Sequence, residues 1–173
     1  MKQKEDALLL ETRKKIYSLI EQFPGIHFRA LYRLYNRGTG NLEYHLRYLE
    51  KKNLIKVEKS RGNKRLFPLG LNDYERNLLG VLQQGAYRRI VLKLLTDKGV
   101  NHKELVKELG KFPSTITTYL NVLEKQNVIV SRKKGREKTY ELKDKDEVVK
   151  ILIAYKESFL DKLVDKFVDT WEE

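Results

Sequence analysis

The sequence predicts a mainly α-helical chain with small β-hairpins, built as two consecutive copies of one folding unit and closed by a C-terminal helix. Three observations predict it. The chain of 173 residues matches itself without gaps at an offset of 74 residues. Within each copy, apolar residues recur at helical spacing in three successive segments. After each third segment the spacing changes to the alternation of a strand, interrupted by a basic, Gly-containing turn.

The repeat is read directly. Residues 25–55 are GIHFRALYRLYNRGTGNLEYHLRYLEKKNLI and residues 99–129 are GVNHKELVKELGKFPSTITTYLNVLEKQNVI. Eight of these 31 positions are identical: Gly25/Gly99, Leu31/Leu105, Leu46/Leu120, Leu49/Leu123, Glu50/Glu124, Lys51/Lys125, Asn53/Asn127 and Ile55/Ile129. Most are apolar and helically spaced, so duplication of a folding unit explains them better than chance does.

In the first copy, Ile16, Leu19, Ile20 and Phe23 line one face of a helix over 12–23, which Pro24-Gly25 ends. Phe28, Leu31 and Tyr35 are the inward side of a short second helix over 28–35. A turn follows at 37–40, where Thr39 is placed to cap the next helix. The third helix, 41–52, buries Leu42, Leu46 and Leu49 and stops at Asn53. Residues 54–59 and 65–69 form a hairpin with its tip at 61–64, and Pro68 argues that the second strand is an edge.

The second copy repeats the order: helices over 86–96, 102–109 and 114–126, then strands over 128–133 and 139–142 with a tip at 134–136. Pro113 stands where a first-turn proline is favourable. An extra helix over 74–84, capped by Asn72 or Asp73, joins the copies, and Gly85 interrupts it. Three helices with a short turn between the last two, followed by a basic hairpin, make a winged helix-turn-helix unit. The expected organisation is therefore a first such domain over 1–72, a second over 73–143, and a C-terminal helix over 144–173.

Charge fits a polyanionic partner, the alternative being a soluble basic protein without one. The chain carries 36 Lys+Arg against 24 Asp+Glu, a formal net charge of +12. The last thirty residues hold five Lys and nine acids, so the excess of positive charge lies in residues 1–143. There is no cysteine, which removes disulfides, thiolate metal sites and thiol chemistry together. The N-terminal apolar run, Ala7 to Leu10, is too short for a signal-peptide core or a membrane span, so a soluble, cytoplasmic chain is expected. Neither a phosphate-binding glycine loop nor a hydrolase or metalloprotease motif is present, so an enzyme, a cofactor and a metal site are not expected. His27 and His102 read as cap or surface histidines.

The run GNLEYHLRYLEKKNLI resembles the recognition helix and first wing strand of ArsR/MarR-like winged-helix regulators. It is most similar to archaeal tandem winged-helix regulators, through Gly40, Leu42, Tyr44, His45, Leu46, Leu49 and Glu50. PSTITTYLNVLEKQNVI resembles a more generic form of the same helix. The resemblance implies a transcription factor that binds double-stranded DNA, commonly as a dimer. It departs from metal-sensing relatives, because cysteine is absent and only His27, His45 and His102 are available.

A recognition helix needs outward side chains that read base edges or hold phosphates. In the first copy these are Asn41, Tyr44, His45, Arg47 and Tyr48, with packing of either tyrosine on a neighbouring helix as the alternative. In the second copy they are Ser114, Thr115, Thr117, Thr118 and Asn121, a poor helix by propensity and so a surface with a use. The wings add Arg61, Asn63, Lys64 and Arg65, then Arg132, Lys133, Lys134, Arg136 and Lys138, for phosphates or a minor groove. Rival readings are a winged-helix protein-interaction module and a single-strand or RNA binder. In the C-terminal segment, Leu152, Tyr155, Phe159, Leu163, Phe167 and Trp171 belong to an apolar surface too broad for one small contact. It either crosses the protein's own core or, the favoured expectation, forms a homodimer.

Overall fold

A computed structural model of the chain describes residues 10–35, 39–60, 63–135 and 137–159. The chain divides into two compact units, with the boundary between Asn72 and Asp73.

The first unit runs α1 (Glu11–Gln22), β1 (Ile26–His27), α2 (Phe28–Tyr35), α3 (Thr39–Lys51), β2 (Ile55–Ser60) and β3 (Asn63–Pro68). The helices form because their apolar residues share one face: Ile16, Ile20, Leu31, Leu42 and Leu49 have no solvent exposure. Gly25 ends the α1 corner at φ 82°, a conformation that suits a residue without Cβ. Asn53 stops α3 at φ 52°, and the Leu54 amide donates back to the Leu49 carbonyl at 3.0 Å.

The second unit runs α4 (Asp73–Leu82), α5 (Gly85–Thr96), β4 (Val100–Asn101), α6 (His102–Leu109), α7 (Pro113–Lys125), β5 (Ile129–Lys134), β6 (Glu137–Leu142) and α8 (Lys145–Ala154), followed by a 3-10 turn (Lys156–Ser158). Asn101 and Glu104 make a reciprocal capping box at the start of α6, and Gly110 closes it at φ 61°. Ile90, Ile116, Leu123, Val148 and Leu152 are fully buried.

From β1 to β3, and from β4 to β6, the two units share one order of elements and one register. The sheets are β1-β3-β2 and β4-β6-β5. Ile26 faces Leu66 and Val100 faces Tyr140; Ile55 faces Pro68 and Ile129 faces Leu142; every partner is displaced by the same 74 residues. Asn127 repeats Asn53 at φ 64°, with the Val128 amide on the Leu123 carbonyl at 3.0 Å.

Two expectations are corrected, and two short strands are added. β3 is the central strand and not an edge. Pro68 is tolerated because β1 is two residues long and pairs only with Leu66 and Arg65, leaving the Pro68 end uncovered on that side. The first strands, β1 and β4, escape periodicity because two residues carry no period. The C-terminal helix is not continuous from 144 onward. Asp144 caps it by accepting the Glu147 amide at 2.9 Å, but α8 ends at Ala154, and Tyr155 leaves helical geometry at φ −121°, ψ 25°. Burial overrides periodicity here: the turn brings Ser158 and Phe159 inside, with the Arg88 guanidinium of α5 5.9 Å from the Phe159 ring. Smaller differences lie at boundaries: α3 takes in Thr39 rather than being capped by it, and Gly85 opens α5.

Candidate nucleic-acid interface

In the first unit, α3 presents Asn41, Tyr44 and Arg47 to solvent, with Tyr44 60% exposed. His45 is corrected: it is buried and turned inward. It stands three residues after Leu42 and four before Leu49, which is the buried stripe itself. Burial, and then the nearby Arg13 cation, hold the imidazole below its ordinary pKa. Its Nδ1 has no hydrogen-bond partner among the described residues. Tyr48 is half-buried beneath the Arg13 guanidinium, 3.7 Å from its ring centroid, so it belongs to the α1–α3 seam and not to the outer face.

The wing of this unit is tied to α3. Lys64 Nζ donates to Glu43 Oε1 at 2.8 Å and lies 5.2 Å from the centre of the Phe28 ring. Arg47 approaches the other Glu43 oxygen at 3.8 Å. The hydrogen bond and charge of Lys64 hold the Glu43 carboxyl below the usual range. Lys64 is thus engaged within the unit. Asn63 is exposed; Arg65, facing His27 across the sheet, is half-buried; Arg61 lies outside the described residues.

In the second unit, Ser114, Thr117, Thr118 and Asn121 are exposed along α7 and Thr115 is half-buried. The two exposed threonines turn their hydroxyls back into the helix: Thr117 Oγ1 donates to the Pro113 carbonyl and Thr118 Oγ1 to the Ser114 carbonyl, each at 3.0 Å. His102 Nε2 lies 3.1 Å from both Pro113 O and Thr117 Oγ1. Through these two oxygens His102 links α6 to the start of α7. In the wing, Lys138 Nζ reaches Glu124 Oε1 at 3.2 Å, and Arg132 pairs with Glu141 at 3.0 Å. Lys133 is exposed; the Lys134 side chain and Arg136 lie outside the described residues.

Sequence reasoning missed two features. The hairpin registers set Lys59 directly opposite Lys64 and Lys133 directly opposite Lys138. Like charges facing across strands repel, and only a register, not a sequence, reveals the pairing. Phe112, just before α7, is 81% exposed. Its position in a turn gave no period by which to judge its burial.

Of the residues expected at a dimer contact, Leu152 and Phe159 are buried within the second unit and Tyr155 is half-buried. Leu163, Phe167 and Trp171 lie outside the described residues. On the same side of the unit, burial and then the Asp144 and Glu147 carboxylates push the Tyr74 phenol up to about 12. Among the described residues, no helix is long and apolar enough to cross a membrane, and no cluster of ligating side chains could hold a metal ion.

Comparison with known proteins agrees with the first unit's architecture. Residues 10–79 match a family model described as an N-terminal HTH domain. An uncharacterized HTH-type transcriptional regulator of Methanocaldococcus jannaschii is 29% identical over 136 residues, covering 79% of this chain and 34% of that protein. The chain therefore spans about a third of the length of the curated relative it matches. Residues 10–79 are thus similar to an N-terminal HTH domain, and the helices and small antiparallel sheet of the first unit are consistent with that likeness.

Proposed function

We propose that this chain is a sequence-specific, double-stranded DNA-binding transcription regulator in which both units are winged helix-turn-helix domains. α3 and α7 enter the major groove, and the two hairpins lie on phosphates or in a minor groove. The observation that carries this reading is the repeated cross-strand lysine pair, Lys59 opposite Lys64 and Lys133 opposite Lys138. In both wings one lysine of the pair is held by a glutamate of its own unit, and the other, Lys59 or Lys133, is exposed on the edge strand. A phosphate backbone supplies a counter-charge for these two exposed lysines. Asn41, Tyr44 and Arg47 are the base- and phosphate-reaching groups of α3, and Ser114, Thr115 and Asn121 their counterparts on α7. The resemblance to ArsR/MarR-like tandem regulators, and the name of the M. jannaschii relative, agree with that role.

The wings are tested by fluorescence anisotropy on random-sequence duplex DNA over a salt series, with Lys59, Arg61, Lys133 and Arg136 all changed to Ala. Wild type is expected to bind with a steep salt dependence, and the variant to lose roughly 0.9 units of slope for each phosphate contact removed. Unchanged slope overturns the role of the wings, and absence of duplex binding at low salt overturns the function.

A homodimer, formed by the C-terminal residues after Phe159, completes the proposal: Leu163, Phe167 and Trp171 recur there at helical spacing. Sedimentation equilibrium is expected to give the mass of two 20.5-kDa chains, and to return one chain when Leu163, Phe167 and Trp171 are changed to Ser.

A further inference from the structure

We propose that Glu43 is a specificity-determining residue of the first unit, accepting a hydrogen bond from the exocyclic amine of a cytosine in the major groove. The inference rests on the DNA-binding reading above and deepens it by naming a base that α3 selects.

A carboxylate on a helix that meets duplex DNA is unfavourable in itself, because it repels phosphates. In its N-terminal half α3 carries one, Glu43, and the unit compensates it. Glu43 lines an open cleft between α3 and the β2–β3 hairpin, shared with Arg47, Lys59, Lys64 and one further acid, Glu50. Lys64 Nζ donates to Glu43 Oε1 at 2.8 Å, and the Arg47 guanidinium stands 3.8 Å from Oε2. Lys64, by its hydrogen bond and then its charge, holds the carboxyl below its usual range. The group is therefore ionised at neutral pH, so it accepts hydrogen bonds and donates none.

The two carboxylate oxygens are not equivalent. Oε1 is fixed by the wing lysine. Oε2 accepts no hydrogen bond from the described residues, since 3.8 Å is too long for one, and the side chain is 39% exposed. Glu43 is the fifth residue of α3, in the half that approaches base edges when such a helix enters the major groove. An anchored carboxylate with one open oxygen needs a donor. In that groove guanine shows only acceptors, and thymine an acceptor and a methyl. Adenine sets its amine beside the N7 acceptor, an edge that suits an amide better than a carboxylate. Cytosine shows its amine alone. Arg47, one turn further on, carries the donors that a guanine edge takes, so the two side chains match the two halves of a C·G pair. The equivalent position in the second unit is Thr117, which has no carboxylate, so this selection belongs to the first unit alone.

The test is selection on random-sequence duplexes with wild type, Glu43→Gln and Glu50→Gln, with circular dichroism to check folding. The wild-type motif is expected to contain a C·G pair that binds about fivefold tighter than T·A at that place. Glu43→Gln is expected to lose that preference alone, or to exchange it for adenine, to which an amide offers both a donor and an acceptor. Glu50→Gln makes the same change of charge in the same cleft and is expected to keep the C·G pair. A motif unchanged in Glu43→Gln overturns the inference and leaves the DNA-binding function standing, because Glu43 then only ties the wing. Loss of the same pair in Glu50→Gln also overturns it, because the charge of the cleft and not the open oxygen then sets the preference. Loss of the whole motif in Glu43→Gln overturns it as well, since the residue then shapes the unit and does not read one base. No motif from wild type overturns the reading on which the inference rests.

Discussion

The two units share a register and differ in what fills it. At the seam between first and third helices, the first unit sets Arg13 over Tyr48 beside a buried His45. At the equivalent place the second unit pairs Tyr87 with Tyr119, ring centroids 4.9 Å apart. The wing lysine at one shared position is held by Glu43 early in α3 of the first unit, and by Glu124 in the last turn of α7 of the second. The outer face of α3 therefore bears a carboxylate among Asn41, Tyr44 and Arg47, whereas that of α7 shows none beside its threonines. The two units share the buried leucines and the corner residues, which the backbone requires, and differ along the outward faces of α3 and α7.

Loss of a shared core position should break both units alike. Leu49→Ala and Leu123→Ala each remove a fully buried side chain from the third helix, at a cost of roughly 2–5 kcal/mol. Urea unfolding of the two variants measures it, and a cost confined to one of them would show that the shared register hides unlike cores.

The outward difference is sharpened next. Glu43→Gln releases Lys64 and Arg47 from a carboxylate and removes a negative charge from the outer face of α3. Duplex affinity at low salt should rise by about threefold to tenfold, with a steeper salt dependence. Glu124→Gln, at the far end of its helix, should change it less. A larger gain from Glu124→Gln would reverse the assignment of faces.

Legibility in the sequence followed the same division. Leu42, Leu46, Leu49 and their counterparts were readable because helical burial imposes a period. Asn53 and Asn127 were readable because their type and place both signal a stop. His45 was misjudged because its polarity outweighed its spacing, although that spacing lies on the stripe. The Lys59–Lys64 pair and the back-turned threonine hydroxyls depend on register and rotamer, which no period encodes. The end of α8 at Ala154 was hidden for a different reason: apolar spacing continued past it, and packing of Phe159 decided where the chain turned.

The corner asparagines supply a smaller test of the shared backbone. At positive φ an L residue with Cβ is strained, so Asn53→Ala and Asn127→Ala should each cost about 1 kcal/mol, and the glycine variants should recover it. Thermal unfolding compares the pairs, and a unit in which alanine is harmless does not use that corner.

The smallest effect concerns pH and falls on the first unit. His45 and His27 both have folded-state pKa values depressed below the ordinary 6.5, chiefly by burial. The unfolded chain then binds protons more readily than the folded one. Stability from these groups is present above about pH 6.5 and declines as pH falls through the depressed values. Urea midpoints at mildly acidic and neutral pH should show the loss, and His45→Phe should reduce it. Acid sensitivity that is unchanged in that variant would place the proton elsewhere.

The central claim is that both units read duplex DNA by sequence. Repeated selection of the wild-type chain on a pool of random-sequence duplexes tests it most directly, followed by the same selection with Asn41→Ala/Arg47→Ala and with Ser114→Ala/Asn121→Ala. One shared motif is expected to enrich, with each double variant losing preference at a different part of it. Enrichment of no motif, or displacement of the duplex by single-stranded competitor, would contradict sequence-specific duplex recognition.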